Sequence, residues 1–218
     1  MEISTSILSV DKEKATRTFY DIEVAKTDYF HIDVMDGKFV KKDTREIMLD
    51  YATTIRHISN LPLDVHLMVE DAKEYIETYS ALEPMFITVH YESFKTKQEL
   101  LDAINYIKQN GSRVGLSIKP QTKVEEILEY LPYLSLVLVM TVEPGEGGQK
   151  LIPSNLEKIT KLAEYREKEN LDYFIEADGG INLDTINQVK EAGTDIAVVG
   201  TAIIKEENKK EVIEKLKN

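Results

Sequence analysis

The stretch His31-Ile32-Asp33-Val34-Met35 gathers reactive side chains more densely than any other part of the chain. It follows Thr27-Asp28-Tyr29-Phe30 and reads as a short strand running into a loop at Asp36-Gly37. Strand side chains alternate between faces, so His31, Asp33 and Met35 share one face while Ile32 and Val34 share the other. One face thus offers an imidazole, a carboxylate and a thioether. A buried carboxylate without a partner is costly, so something must satisfy that face. A His–Asp hydrogen-bonded pair would do so, and so would a metal ion.

The elements that must position these groups follow from hydrophobic periodicity. Eight short apolar runs alternate with helix-period segments. The runs are Ile3–Leu8, Tyr29–Val34, Leu63–Met68, Phe86–His90, Arg113–Ile118, Leu134–Met140, Tyr173–Ala177 and Asp195–Val199. Between the fifth and sixth, Val124, Ile127, Leu128 and Leu131 predict a short helix before Pro132. Eight strand–helix repeats in one chain point to an α/β fold, a single-domain (β/α)8 TIM barrel over residues 1–218. A doubly wound open sheet is the alternative, since periodicity does not show closure. No linker or low-complexity segment interrupts the pattern.

Barrel chemistry sits at the C-terminal ends of the strands. Ser6 and Ser9 end the first strand, His66 and Met68 the third, His90 the fourth, Lys119 the fifth, Met140 the sixth and Asp178 the seventh. Two histidines (His31, His66) and two aspartates (Asp33, Asp178) on one rim suit a divalent ion such as Zn, Fe, Mn or Co. His57 falls on a helix and reads as a surface residue. Glycines form the second constellation. Gly145, Gly147 and Gly148 follow the sixth strand, Gly179-Gly180 the seventh, and Gly200-Thr201 the eighth. Exposed backbone amides in three consecutive loops can bind phosphate without a basic side chain.

Composition narrows the partners. The chain has 218 residues, 42% hydrophobic and 30% charged, with a net charge of −12 and no cysteine. The charge argues against nucleic acid and anionic membrane, and the missing cysteines exclude disulfides and thiolate chemistry. No apolar run approaches about 18 residues, so a cytoplasmic location is expected. Self-association is a fold-level expectation for a small barrel.

Five runs resemble the ribulose-phosphate 3-epimerase family. They are Thr5-Ser6-Ile7-Leu8-Ser9, His31 to Gly37, Leu63 to Val69, Val139 to Gln149, and Asp178-Gly179-Gly180-Ile181. The resemblance runs in register from about Ile3 to Ile204. It implies a TIM barrel that epimerises C3 of a sugar phosphate, most simply D-ribulose 5-phosphate to D-xylulose 5-phosphate. His31, Asp33, His66 and Asp178 would hold one divalent metal ion, with Asp33 and Asp178 also the acid/base pair. Ser6 and His66 would touch substrate, and Met35, Met68 and Met140 would line the reacting carbons. The backbones at Gly145, Gly147–Gly148, Gly179–Gly180 and Gly200–Thr201 would hold the phosphate. Such chemistry removes a proton beside a ketone on one face and returns one on the other. Two carboxylates can do this while a Lewis acid stabilises the enediolate.

The chain also departs from that pattern. Lys38-Phe39-Val40-Lys41-Lys42 stands where His-Phe-Val-Pro-Asn is usual, and Arg45-Glu46-Ile47-Met48 replaces a Gly-Pro. Lys119 stands for Asn, Glu143 for Asn and Glu146 for Phe. These changes fall on the rim, where Lys119 could add positive charge near substrate. They leave a ketohexose phosphate such as D-allulose 6-phosphate as an alternative substrate, and a phosphosugar-binding relic as the non-enzyme alternative. A related barrel group that decarboxylates or isomerises sugar phosphates uses Asp-x-Lys-x-x-Asp. Met35 occupies the Lys position here, which sets that group aside.

Overall fold

A computed structural model describes all residues 1–218. Its eight strands are β1 (Glu2–Ser6), β2 (Tyr29–Met35), β3 (Leu63–Met68), β4 (Phe86–His90), β5 (Arg113–Ile118), β6 (Leu136–Met140), β7 (Phe174–Asp178) and β8 (Ile196–Val199). All neighbours pair in parallel, and β8 returns to β1, so the sheet closes. That closure settles the barrel against the open sheet.

Strand alternation sorts the interior from the exterior. Outward residues such as Ile32, Val34, Val65, Leu67 and Val89 join one large apolar cluster with the surrounding helices. These helices are α1 (Ala15–Val24), α2 (Arg45–Ile58), α3 (Ala72–Ser80), α4 (Lys97–Gln109), α5 (Leu156–Lys168), α6 (Ile186–Glu191), α7 (Thr201–Ile204) and α8 (Lys209–Lys217). Inside the barrel, Tyr29, Phe86, Leu136 and Ile196 plug the N-terminal end, with Phe174 packed against them. The interior turns polar towards the other end. In register, His31 pairs with Asp64 and Asp33 with His66, while Met140 pairs with Asp178.

One expected helix is absent. Residues between β5 and β6 form only two 3-10 turns, Val124–Glu126 and Leu131–Tyr133. Pro132 lies past the expected helix and marks only its end. The carbonyls of Lys119, Pro120 and Thr122 accept from Lys158 Nζ at 3.0, 2.7 and 2.7 Å. Val124, Ile127 and Leu131 are still buried, so the apolar spacing served packing rather than a helix. Some strand bounds also shift. β1 stops at Ser6 rather than Leu8, and β6 starts at Leu136 rather than Leu134.

Candidate active site

The end of β2 is fixed by its own loop. Thr44 Oγ1 donates to the Asp33 carbonyl at 2.7 Å and accepts from Met35 N at 2.9 Å. Asp36 Oδ1 accepts from the amides of Lys38 and Phe39, and its Oδ2 from that of Glu70, each at 2.8 Å. The loops after β2 and β3 are thereby tied together, and Asp33 leaves the sheet in a set direction.

Asp33 divides its two oxygens. Ser6 Oγ donates to Oδ2 at 2.7 Å. Oδ1 lies 3.3 Å from His31 Nε2 and 3.5 Å from His66 Nδ1. Asp178 Oδ2 lies 3.9 and 3.6 Å from the same two nitrogens. One donor atom from each of the four residues thus falls within 4.8 Å of every other. Both histidines are fully buried, and neither His31 Nε2 nor His66 Nδ1 has a hydrogen-bond partner. Buried polar nitrogens are normally satisfied, so two orphans aimed at one point between two carboxylates fit a cation. Burial works against charge on His31, but Asp64 and Asp33 outweigh it and raise its pKa. Burial works the other way on Asp33, and His31 and His66 outweigh it, holding the carboxylate ionised. A central cation would do the same for both carboxylates, releasing the imidazole proton.

Behind these groups lies a shell that sequence reasoning missed. His31 Nδ1 sits 2.6 Å from Asp64 Oδ2, which also accepts from Ser4 Oγ at 2.8 Å. Glu176 lies beneath, with Oε1 at 3.9 Å from His31 Nδ1. Burial and the Asp64 charge push the Glu176 carboxyl well above its ordinary range. Both causes favour its protonated form. On the other side, His66 Nε2 meets His90 Nε2 at 2.9 Å, and His90 Nδ1 meets Glu92 Oε2 at 3.0 Å. Burial, and after it the charge of His66, holds His90 down to about 4, despite the Glu92 hydrogen bond that favours the charged ring.

A cavity of about 280 Å3 opens above the cluster. Its lining includes Ser6, Asp33 and Asp178 together with Met35, Met68 and Met140. Gly145, Gly147, Gly148, Gly179, Gly180, Gly200 and Thr201 complete the expected set. His31 and His66 lie outside the lining, below it. Ser9 was seen in the sequence only as a strand end, and it also reaches the cavity, 3.3 Å from Thr201 Oγ1. Gln149 Nε2 braces the β6 loop by donating to the carbonyls of Glu143 and Glu146 at 2.6 and 2.9 Å. Gly180 has φ +70, and an added Cβ would sit 2.2 Å from Leu151 N, so only glycine fits.

At the rim, Lys119 lies against Phe39. Its ammonium lies 3.6 Å from the centroid of the Phe39 ring, outside the cavity lining. A cation on an aromatic face is favourable, and here it commits the charge to Phe39. His57 is exposed on α2, as expected.

The closed barrel with its cluster and cavity at the C-terminal ends of the strands defines a (β/α)8-barrel enzyme. Solved structures share the architecture. The 3-hexulose-6-phosphate synthase of Salmonella typhimurium superposes with TM-score 0.71 at 14% identity, over 99% of this chain and 96% of that one. KGPDC from Streptococcus mutans gives 0.73 at 11% identity, over 99% and 95%. At such identities the likeness is one of fold. Sequence comparison is more specific. The model of the Ribulose-phosphate 3 epimerase family matches residues 2–204. The ribulose-phosphate 3-epimerases of Helicobacter pylori (strain J99) and Bacillus subtilis (strain 168) are each 37% identical to this chain. Both alignments cover 100% of it, with 97% and 98% of the respective relatives. The chain belongs to the ribulose-phosphate 3-epimerase family and is an epimerase.

Proposed function

We propose that the whole chain acts as one catalytic domain that interconverts D-ribulose 5-phosphate and D-xylulose 5-phosphate by inverting C3. The observation that carries this reading is the meeting of Asp33 and Asp178 beside two orphaned imidazole nitrogens at the floor of the cavity. Inversion needs a base on one face of C3 and an acid on the other, and two carboxylates converging from different strands can take those roles. Ser6 holds Asp33 Oδ2, which leaves the proton-transferring group little freedom to rotate. Met35, Met68 and Met140 give an apolar, polarizable wall against a planar intermediate. Backbone amides at Gly147–Gly148, Gly179–Gly180 and Gly200–Thr201 take the phosphate, which needs no basic residue in the cavity.

His31, Asp33, His66 and Asp178 would hold one divalent ion of the Zn, Fe, Mn or Co class. Such an ion supplies Lewis-acid stabilisation of the oxyanion charge that develops when the C3 proton leaves. No helix of the chain is long and apolar enough to cross a membrane. A cytoplasmic site of action and self-association both belong to this proposal.

Steady-state kinetics on the Co2+-loaded protein tests the substrate. A higher kcat/KM on D-ribulose 5-phosphate than on D-allulose 6-phosphate is expected. The reverse order would assign the rim changes at Lys38, Glu143 and Glu146 to a longer sugar.

A further inference from the structure

The two ligand histidines are held from behind in different ways. His31 turns Nε2 to the cluster, and its Nδ1 meets a carboxylate directly, Asp64 at 2.6 Å. His66 turns Nδ1 to the cluster, and its Nε2 meets another imidazole, His90, at 2.9 Å. Two imidazole nitrogens facing each other need one hydrogen between them. If His66 Nδ1 is to present a lone pair to the cluster, the hydrogen of the neutral ring belongs on Nε2. His66 Nε2–H then donates to His90 Nε2. His90 in turn carries its own hydrogen on Nδ1, which donates to Glu92 Oε2 at 3.0 Å. Only an acceptor at the far end makes this order consistent, and the Glu92 carboxylate is that acceptor.

We propose that Glu92, acting through His90, is a positioning residue that fixes the tautomer and orientation of His66 as a metal ligand. The assignment rests on the metal reading above and deepens it. Second partners of this kind orient the ring and raise its basicity. Here the partner stands one imidazole removed. The other Glu92 oxygen is engaged elsewhere. Oε1 accepts from the Lys119 amide at 2.8 Å and from Thr122 Oγ1. The same carboxylate therefore anchors the loop after β5. Above the relay, the Phe39 ring covers His90 with centroids 4.7 Å apart, and Lys119 covers Phe39. Lys119 thus closes the stack over the relay.

Two measurements test the proposal. The first is the Co2+ dissociation constant of the folded protein, by competition with a chelating dye, in the parent, Glu92→Gln and Thr122→Val. Glu92→Gln is expected to weaken binding roughly 10–100-fold. Thr122→Val loosens the loop but leaves the relay, and its constant is expected to stay within about twofold of the parent. Equal binding by Glu92→Gln and the parent, or equal weakening by both variants, overturns the relay. A parent that binds no Co2+ overturns the metal reading itself, and the relay's role with it. The second measurement needs no variant. Imidazole 15N NMR of the metal-free parent should show His90 as the Nδ1–H tautomer. An Nε2–H tautomer at His90 would put the hydrogen on the wrong side and overturn the assignment.

Discussion

The carboxylates of Asp33 and Asp178 come within 4.8 Å of each other although β1 and β8 separate their strands. Only closure of the barrel brings them together. Each also faces both His31 Nε2 and His66 Nδ1. If the pair acts as base and acid, neither is dispensable. Asp33→Asn and Asp178→Asn should each lower kcat by about 10²–10⁴-fold, the span of a lost general acid or base. Circular dichroism should show the fold retained. A variant that keeps more than about a tenth of parental kcat removes its Asp from the pair.

Ser6 donates to Asp33 Oδ2 at 2.7 Å. A hydrogen bond to a charged group contributes about 1.5–3 kcal/mol. Ser6→Ala should lower kcat about 10–100-fold with a smaller change in KM, since it frees the carboxylate rather than removing it. A change confined to KM would make Ser6 a substrate contact alone.

Gly180 holds φ +70 against the Leu151 backbone. Gly180→Ala adds left-handed strain and a clash with atoms that cannot rotate away. Stability should fall by roughly 1–3 kcal/mol, and phosphate binding should weaken because the loop shifts. Tm and the inhibition constant for inorganic phosphate report the two effects. A variant with both unchanged would show that the loop adjusts freely.

Glu92 gives a pH signature. Burial would raise its pKa, but hydrogen bonds led by that from His90 bring it to about 2, below the ordinary 4.5. The unfolded chain therefore takes up a proton before the folded one does. Stability is fully present above about pH 4.5 and is lost as pH falls towards about 2. Thermal melts across this window should show a steeper loss for the parent than for Glu92→Gln. Parallel curves would mean that Glu92 does not report on folding.

Much of this was legible in the sequence because ligand-type side chains at the second and third strand ends stand two residues apart, with apolar ones of the opposite face between them. His31, Asp33 and Met35 could be read as one wall from spacing alone. Their positions at and just after the strand ends placed Asp178 and the glycine loops at the rim. The relay was not legible. His66 pairs in register with Thr88, and His90 lies two residues further along β4, so their contact depends on ring orientation. Asp64 and Glu176 lie one layer deeper on strands that read as apolar. The segment around Val124 failed for another reason. Helical spacing was present, yet the same apolar side chains are buried from two short 3-10 turns. Lys119 looked like a free charge because sequence does not show the ring beneath it.

Proton exchange at C3 between two carboxylates leaves an isotopic trace in the product. The metal-loaded protein is incubated with D-ribulose 5-phosphate in D2O and followed by NMR. The expected product is D-xylulose 5-phosphate carrying deuterium at C3. Conversion without deuterium at C3, or no conversion by a protein shown to hold metal, would contradict this exchange.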